Sequence, residues 1–221
     1  MAAWLYPHAR PLAEAKAADN VEQQFVMAAA GTVQAFADDP NMEGLRERAR
    51  NARAILIVPE ALRAAFFFGA ASGGGILVIR DNSTKTWRGP AFYAIGGASV
   101  GLQMGADASA IICLVMTQRG LDSFVRSSFK LGVDASVAAG SDGNRIGAGT
   151  SPLLSADMIV FARSKGTFMG ISMEGVIVRV AESANQAYHG DALFLADVFH
   201  KELMVKPPGA ELLQALEVLT R

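Results

Sequence analysis

An α+β fold is predicted for this chain of 221 residues, with a twisted and largely antiparallel β-sheet or barrel-like core flanked by N-terminal and C-terminal helices. Near the N-terminus, apolar residues recur at helical steps of three and four. After Arg53 the apolar residues form short β-branched runs separated by glycine, which is typical of strands. Turn residues between these runs favour hairpins over helical crossovers, and therefore antiparallel pairing.

Length and composition predict one domain and exclude several classes of protein. We place the domain over residues 1–221, with a helical segment at 9–53, a β-rich core at 54–190 and a helical segment at 191–221. A chain of this size buries roughly 70% of its unfolded surface, so it needs neither disulfides nor a metal. The formal net charge of -1 excludes a dedicated nucleic-acid-binding protein, because such proteins carry a surplus of Lys and Arg.

Two helices are predicted at the N-terminus. The first, over 9–37, is amphipathic, and its apolar stripe consists of Val21, Phe25, Ala28, Thr32 and Phe36. Asp39 and Pro40 supply a capping side chain and a proline for the start of the second helix. On that helix, Arg46, Arg50 and Arg53 are spaced at four and three residues, which predicts one cationic face.

The β-rich segment is predicted to contain strands at 55–58, 76–79 and 111–116, followed by short helices at 121–129, 191–201 and 210–219. The strand runs are continuously apolar, which favours burial of both sheet faces. Apolar residues alternate with glycine and polar residues at 100–105 and 169–173, and turns are predicted at 81–83, 142–144 and 151–152. Because glycine permits bulges and tight bends, we expect a strongly twisted or closed sheet.

One motif supports an enzymatic alternative. Ser99 lies in a G-x-S-x-G sequence, and Asp157 followed by His189 or His200 gives the chain order of a serine hydrolase. However, the residues after Ser99 alternate as in a strand, whereas a nucleophile elbow must open a helix. A serine esterase or lipase therefore remains the alternative. The three histidines lack metal-ligand spacing, and neither a metal nor a cofactor is expected.

The cationic and apolar faces of the N-terminal helices suit the surface of an anionic membrane. Each cation near such a surface contributes about 1 kcal/mol, so stable binding also needs apolar contact. No apolar stretch reaches the roughly 18 residues that span a bilayer, which favours peripheral association. The first helix could also bind a protein partner or a second copy of the chain, which would give it a structural role.

Seven segments together resemble the SYLF family over roughly residues 20–190. They are 51–59 (NARAILIVP), 74–78 (GGILV), 86–92 (TWRGPAF), 96–105 (GGASVGLQMG), 130–140 (KLGVDASVAAG), 163–175 (RSKGTFMGISMEG) and 185–190 (NQAYHG). Two segments depart from the family pattern. Residues 72–75 (SGGG) lack the basic residue of G-[KR]-G, and no proline follows Gly140.

The resemblance implies a non-enzymatic domain that binds acidic phospholipids, phosphoinositides in eukaryotic members, with participation of the amphipathic N-terminal helix. It also implies peripheral membrane association, in the bacterial cell envelope or periplasm if the chain is similar to the lipoprotein-like bacterial members. The residues expected to contact phosphates are Arg46, Arg50, Arg53, Lys130, Arg163 and Lys165, and those expected at the apolar interface are Phe25 and Phe36.

Overall fold

The computed structural model describes residues 12–59, 73–81, 83–96, 109–140, 155–164, 167–169, 173–190 and 206–221. The helices are α1 (Leu12–Ala37), a 3-10 turn (Pro40–Met42), α2 (Glu43–Ala49), α3 (Gln118–Val125), α4 (Glu182–His189) and α5 (Pro207–Leu219). The strands are β1 (Ala54–Val58), β2 (Gly74–Arg80), β3 (Trp87–Gly96), β4 (Ser109–Val115), β5 (Ser128–Lys130), β6 (Val137–Ala139), β7 (Met158–Ser164), β8 (Thr167–Met169) and β9 (Ile177–Val180). This arrangement confirms the α+β fold.

The strands form one sheet in the order β5-β9-β3-β2-β1-β4-β7-β6, with β8 added beside β7. Each strand pair is antiparallel except β6 with β7, so the largely antiparallel sheet is confirmed. The central strand is β1, in which Leu56 lies opposite Leu77 of β2 and Cys113 of β4.

The sheet is curled into a half-barrel, and the connection between its edge strands requires this shape. β5 and β6 lie at opposite ends of the eight-strand path, yet only residues 131–136 separate them in sequence. That segment can span about 24 Å when it is fully extended. The edges of a flat sheet of this size would be about 34 Å apart. The two edges must therefore curve toward each other.

Both faces of the sheet are buried, as the continuous apolar runs predicted. Ile55, Val78 and Phe92 face α1, α4 and α5. The alternate residues Leu56 and Leu77 face the concave side, and this second core also contains Tyr93, Cys113, Phe124, Phe129 and Val160. Phe124 of α3 and Phe129 of β5 pack edge to face there, with ring centroids 4.8 Å apart. Two apolar layers thus lie on either side of one sheet.

α1 lies along the helical side of the sheet and packs against α5. Its apolar stripe faces the core, and Phe25 and Phe36 are 6% and 0% exposed. Phe25 stands 6.4 Å from the ring of Phe92 in β3. The sheet covers the stripe that the helical spacing identified, and the role of these two rings at a membrane interface stays a prediction.

The second helix is shorter than the sequence predicts. Asp39 accepts a hydrogen bond from the N–H of Asn41, as expected for a helix cap, but α2 ends at Ala49. Arg53 lies beyond the helix, where its N–H donates to the carbonyl of Val115. The three arginines therefore do not share a helix face, since α2 ends at Ala49 and Arg53 directly precedes β1.

The remaining local predictions have mixed outcomes. The turn after β2 is confirmed, with the Asp81 carboxylate accepting from the N–H groups of Ser83 and Thr84. α3 begins and ends earlier than predicted, because Thr117 caps it and residues 128–130 form β5. The predictions for residues 100–105, 142–144, 151–152 and 191–201, together with Ser99, Lys165 and His200, lie outside the described residues. The division into one domain with three segments stays a prediction.

Candidate functional site

Arg46 and Arg163 both hold the C-terminal end of α1. Arg46 Nη1 donates to the carbonyls of Ala37 at 3.1 Å and Asp39 at 2.8 Å. Arg163 donates to the carbonyl of Ala35 at 3.3 Å and lies 3.4 Å from the Asp39 carboxylate. The Arg163 guanidinium therefore ties α1 to β7, the Arg46 guanidinium ties α2 to the end of α1, and the hydrogen-bonding capacity of both is partly used within the protein.

The other predicted cations lie elsewhere. Arg53 is near the start of β1, where its Nη1 donates to Gln118 Oε1 at 3.1 Å. The exposed Arg50 is close by, since its carbonyl accepts from the Arg80 guanidinium. Lys130 lies on the edge strand β5, and five strands lie between it and β7, which carries Arg163, in the sheet order. The structure thus divides the predicted cationic surface among three places.

The hydrolase alternative loses two of its components. The buried Asp157 accepts hydrogen bonds from Thr117 Oγ1 at 2.5 Å, Arg119 Nε at 2.9 Å and Ser136 Oγ at 2.8 Å. Burial by itself would raise the pKa of Asp157, but these hydrogen bonds outweigh it and hold the pKa well below its usual value. His189 Nε2 is hydrogen-bonded to the carbonyl of Pro90 at 2.8 Å. Asp157 and His189 therefore do not form a catalytic pair.

Asn185 has a structural role that the sequence did not assign. Its Oδ1 accepts from the N–H of Phe92 at 2.8 Å, and its Nδ2 donates to the carbonyls of Phe92 at 2.8 Å and Ala181 at 3.0 Å. β9 ends at Val180, opposite Tyr93, and the N–H of the next residue, Ala181, still donates to the carbonyl of Phe92 at 3.0 Å. The N–H of Phe92 instead bonds to the buried amide of Asn185, which joins α4 to the sheet.

Exposed apolar side chains gather around the edge strand β5. Val133 is 73% exposed in the turn that follows β5, and Ile177 of β9 is 47% exposed. In the β5–β9 register, Lys130 lies opposite Ile177 and Ser128 lies opposite Arg179. Because strand side chains alternate, these four side chains share one face, while the buried Phe129 and Val178 point to the other.

We name this region the β5–β9 edge surface. It comprises Val125, Arg126, Lys130, Val133, Ile177 and Arg179. Arg126 lies 3.7 Å from the Asp134 carboxylate, whereas the side chains of Lys130 and Arg179 form no ion pair within the described residues. The surface therefore combines exposed aliphatic groups with two cations that form no ion pair in the described part of the chain, although the Asp134 carboxylate lies nearby and accepts from the backbone N–H of Lys130 at 2.7 Å.

A groove of about 430 Å³ adjoins this surface, between the end of β9 and the start of α4. Its polar lining consists of Arg179, Glu182 and three serines, Ser127, Ser128 and Ser183. The remaining lining residues are Ala94, Val180 and Ala181. Glu182 lies in the first turn of α4, where a carboxylate also interacts favourably with the helix dipole.

Comparison with known proteins identifies the family. Residues 96–219, more than half of the chain, match the Ysc84 family, which is described as "Las17-binding protein actin regulator". The chain belongs to the Ysc84 family. This confirms the resemblance to the SYLF family drawn from the sequence.

The relatives of this Ysc84-family chain include yeast and mammalian proteins. The protein YSC84 of Saccharomyces cerevisiae is 30% identical over 165 residues, which cover 73% of this chain and 35% of the relative. The SH3 domain-containing protein PJ696.02 of Schizosaccharomyces pombe is 32% identical over 140 residues, which cover 62% of this chain and 32% of the relative. The human SH3 domain-containing YSC84-like protein 1 is 24% identical over 166 residues, which cover 75% of this chain and 48% of the relative. The chain thus spans 32% to 48% of the length of these relatives.

These Ysc84-family relatives bear on two expectations, enzymatic activity and location. None of the three is named as an enzyme. They are fungal and mammalian, so they give no support to a bacterial envelope or periplasmic location. Among the described residues, no helix combines the length and apolar character needed to span a bilayer.

Proposed function

We propose that this Ysc84-family chain is a non-enzymatic domain that associates peripherally with membranes containing acidic phospholipids. The observation that carries the proposal is the β5–β9 edge surface. There, Lys130 and Arg179 share a face with the exposed Ile177, and the turn that carries Val133 follows directly. This is the combination of charge and apolar surface that weak membrane binding requires.

The magnitudes favour weak and reversible binding. Each cation near an anionic surface contributes about 1 kcal/mol, and full burial of a valine or isoleucine side chain contributes about 1.5–3 kcal/mol. Neither the cations nor the two exposed aliphatic residues would hold the protein on a bilayer alone. Together they favour binding that depends on both headgroup charge and salt.

Among the described residues expected to bind lipid, Lys130 is the one that belongs to this surface. Arg46 and Arg163 hold α1, and their use as phosphate ligands would require other groups to replace them. Phe25 and Phe36 could enter a bilayer only if α1 left the sheet. Exposing two phenylalanine rings would cost about 3–6 kcal/mol, before the other residues of the stripe are included.

A protein-interaction role is the second candidate. It is favoured by the description of the family, which names binding to Las17 and regulation of actin. Exposed aliphatic residues beside cations also suit a protein partner. Because the chain spans only part of its relatives, partner binding by this region is a proposal of its own.

Co-sedimentation with lipid vesicles tests the membrane function. We expect binding to vesicles that contain phosphatidylglycerol, none to pure phosphatidylcholine, and weakening with salt. Replacing Lys130→Gln and Arg179→Gln together removes about 2 kcal/mol and should weaken binding about thirtyfold. The matched control is Arg50→Gln with Lys85→Gln, two exposed cations outside the edge surface.

The outcomes separate the candidates. Equal binding to neutral and anionic vesicles would overturn the electrostatic part of the proposal. Loss of binding in the Arg50 and Lys85 variant, with the Lys130 and Arg179 variant unaffected, would move the site away from the β5–β9 edge surface. Binding to neither vesicle type would reject the lipid function and leave the protein-interaction role.

A further inference from the structure

The groove beside the β5–β9 edge surface brings two opposite charges together without pairing them. Arg179 and Glu182 both line it and both are exposed. They form no ion pair with each other or with another residue in the described part of the chain. A groove with one cationic and one anionic side chain is complementary to a ligand that carries both charges.

We propose that this groove binds a phosphodiester headgroup that carries a primary ammonium group, as in ethanolamine phospholipids. That the groove meets such a headgroup on a membrane surface rests on the proposed function. The Arg179 guanidinium presents a planar fork that matches two phosphate oxygens. The Glu182 carboxylate accepts hydrogen bonds from the ammonium group, and the hydroxyls of Ser127, Ser128 and Ser183 supply further polar contacts.

The lining disfavours two other headgroups. A trimethylammonium group, as in phosphocholine, has no N–H to donate and is recognised by aromatic rings. None of the eight described lining residues is aromatic. A headgroup with several phosphates would meet one guanidinium and would be repelled by the Glu182 carboxylate. The volume of about 430 Å³ lies within the range of small-molecule sites.

Vesicle binding at constant phosphatidylglycerol content tests the headgroup. Replacing phosphatidylcholine by phosphatidylethanolamine should strengthen binding of the unmodified chain about fivefold, the value of roughly one exposed charge-assisted contact. Glu182→Gln should lose this preference while binding phosphatidylglycerol at least as well as the unmodified chain, because it removes a negative charge near the anionic surface. Glu217→Gln, an exposed acid on α5, is the matched control and should keep the preference.

A soluble headgroup separates recognition from changes in bilayer packing. Glycerophosphoethanolamine should shift the backbone amide resonances of Arg179 and Ser183, and glycerophosphocholine should shift them much less. Equal affinity for the two vesicle types, or equal shifts with the two soluble compounds, would overturn the proposal. A preference retained in Glu182→Gln would also overturn it, since the carboxylate would then serve only the helix.

Failure of the two proposals is distinguishable. If glycerophosphoethanolamine binds selectively but phosphatidylglycerol vesicles do not bind, the groove assignment stands and the membrane function fails. If phosphatidylglycerol vesicles bind but ethanolamine has no effect in either assay, the membrane function stands and the groove assignment fails.

Discussion

Asp157 joins three parts of the chain through one carboxylate. Thr117 and Arg119 belong to the start of α3, Ser136 ends the segment that links the edge strands, and Asp157 itself directly precedes β7. Ser136 also returns a bond, since its Oγ accepts from the N–H of Asp157 at 2.9 Å. The carboxylate therefore acts as a structural junction, although its position in the sequence also fitted a catalytic triad.

We expect Asp157→Asn to lower the free energy of unfolding by about 3 kcal/mol near neutral pH, because it weakens a buried charge-assisted network. The folded pKa of Asp157 is depressed, so its contribution is present above the unfolded value of 3.8 and is lost as the pH falls below it. The difference between the two proteins should therefore shrink below about pH 4. Urea denaturation at several pH values measures this.

Asp122→Asn is the control for this experiment, because Asp122 is exposed and accepts a hydrogen bond from the neighbouring Gln118. Its effect should stay within about 0.5 kcal/mol. If the free energies of unfolding of Asp157→Asn and the unmodified protein differ by the same amount down to acidic pH, the role assigned to the Asp157 charge is contradicted.

Asn185→Ala should lower the free energy of unfolding by about 1–3 kcal/mol, since it leaves the buried N–H of Phe92 without its acceptor, whereas the Phe92 carbonyl keeps its bond from the N–H of Ala181. Hydrogen exchange at the Phe92 amide should accelerate by more than at the centre of β1. Gln186→Ala, an exposed change on the same helix, is the control. If both variants unfold alike, the amide of Asn185 does not extend the sheet as described.

Among the elements, α1 shows how an amphipathic pattern can identify a core. Phe36→Ala should cost about 3–5 kcal/mol, because its ring is fully buried against the sheet. Met27→Ala, on the exposed side of the same helix, should change stability by no more than about 0.5 kcal/mol. Thermal unfolding of the two variants provides the measurement.

The conservative variant Phe36→Leu extends this test to lipid. Because the ring is covered, Phe36→Leu should bind phosphatidylglycerol vesicles as the unmodified chain does. A folded Phe36→Leu variant that no longer binds would show that α1 leaves the sheet and inserts. Docking of the same stripe on a protein partner or a second copy would likewise compete with the sheet, and it stays a prediction.

Elements with a strong pattern could be predicted, and those with a weak one could not. β1, β2 and β4 are central strands with continuous apolar runs, which sequence identifies well. α4 was missed because Glu182–His189 contains few large apolar residues and is held by the Asn185 amide. The sequence overestimates the length of α2, because the arginine spacing continues to Arg53. In the structure the helix ends at Ala49, and the backbone N–H of Arg53 already bonds to the carbonyl of Val115 at the end of β4.

The candidate site was predicted only in part, for a physical reason. Lys130 was found through the family resemblance, but Val133 and Ile177 were not, because an apolar residue is assigned to the core by default. The alternation Ile177, Val178, Arg179, Val180 was the available signal, since it places an isoleucine and an arginine on one face. Only the strand order shows that this face adjoins the sheet edge.

At the scale of the whole molecule, a formal net charge of -1 is compatible with a local cationic surface. The helical layer covers the central strands, where α1 and α5 pack together. Lys130, Ile177 and Arg179 share the exposed face of strands near one end of the sheet order. The architecture therefore leaves the cations of this edge facing outward while other arginines, such as Arg46 and Arg163, are used to hold elements together.

The short link between β5 and β6 also limits how this protein can deform. Since residues 131–136 tie together opposite margins of the sheet, the strands cannot flatten while both margins stay paired. A bilayer or a partner that binds the exposed turn at Val133 contacts this link, whose first residue, Leu131, donates to the carbonyl of Val176 before β9 and whose last residue, Ser136, accepts from the N–H of Met158 in β7. The turn is therefore held at both margins of the sheet, although it is open to solvent.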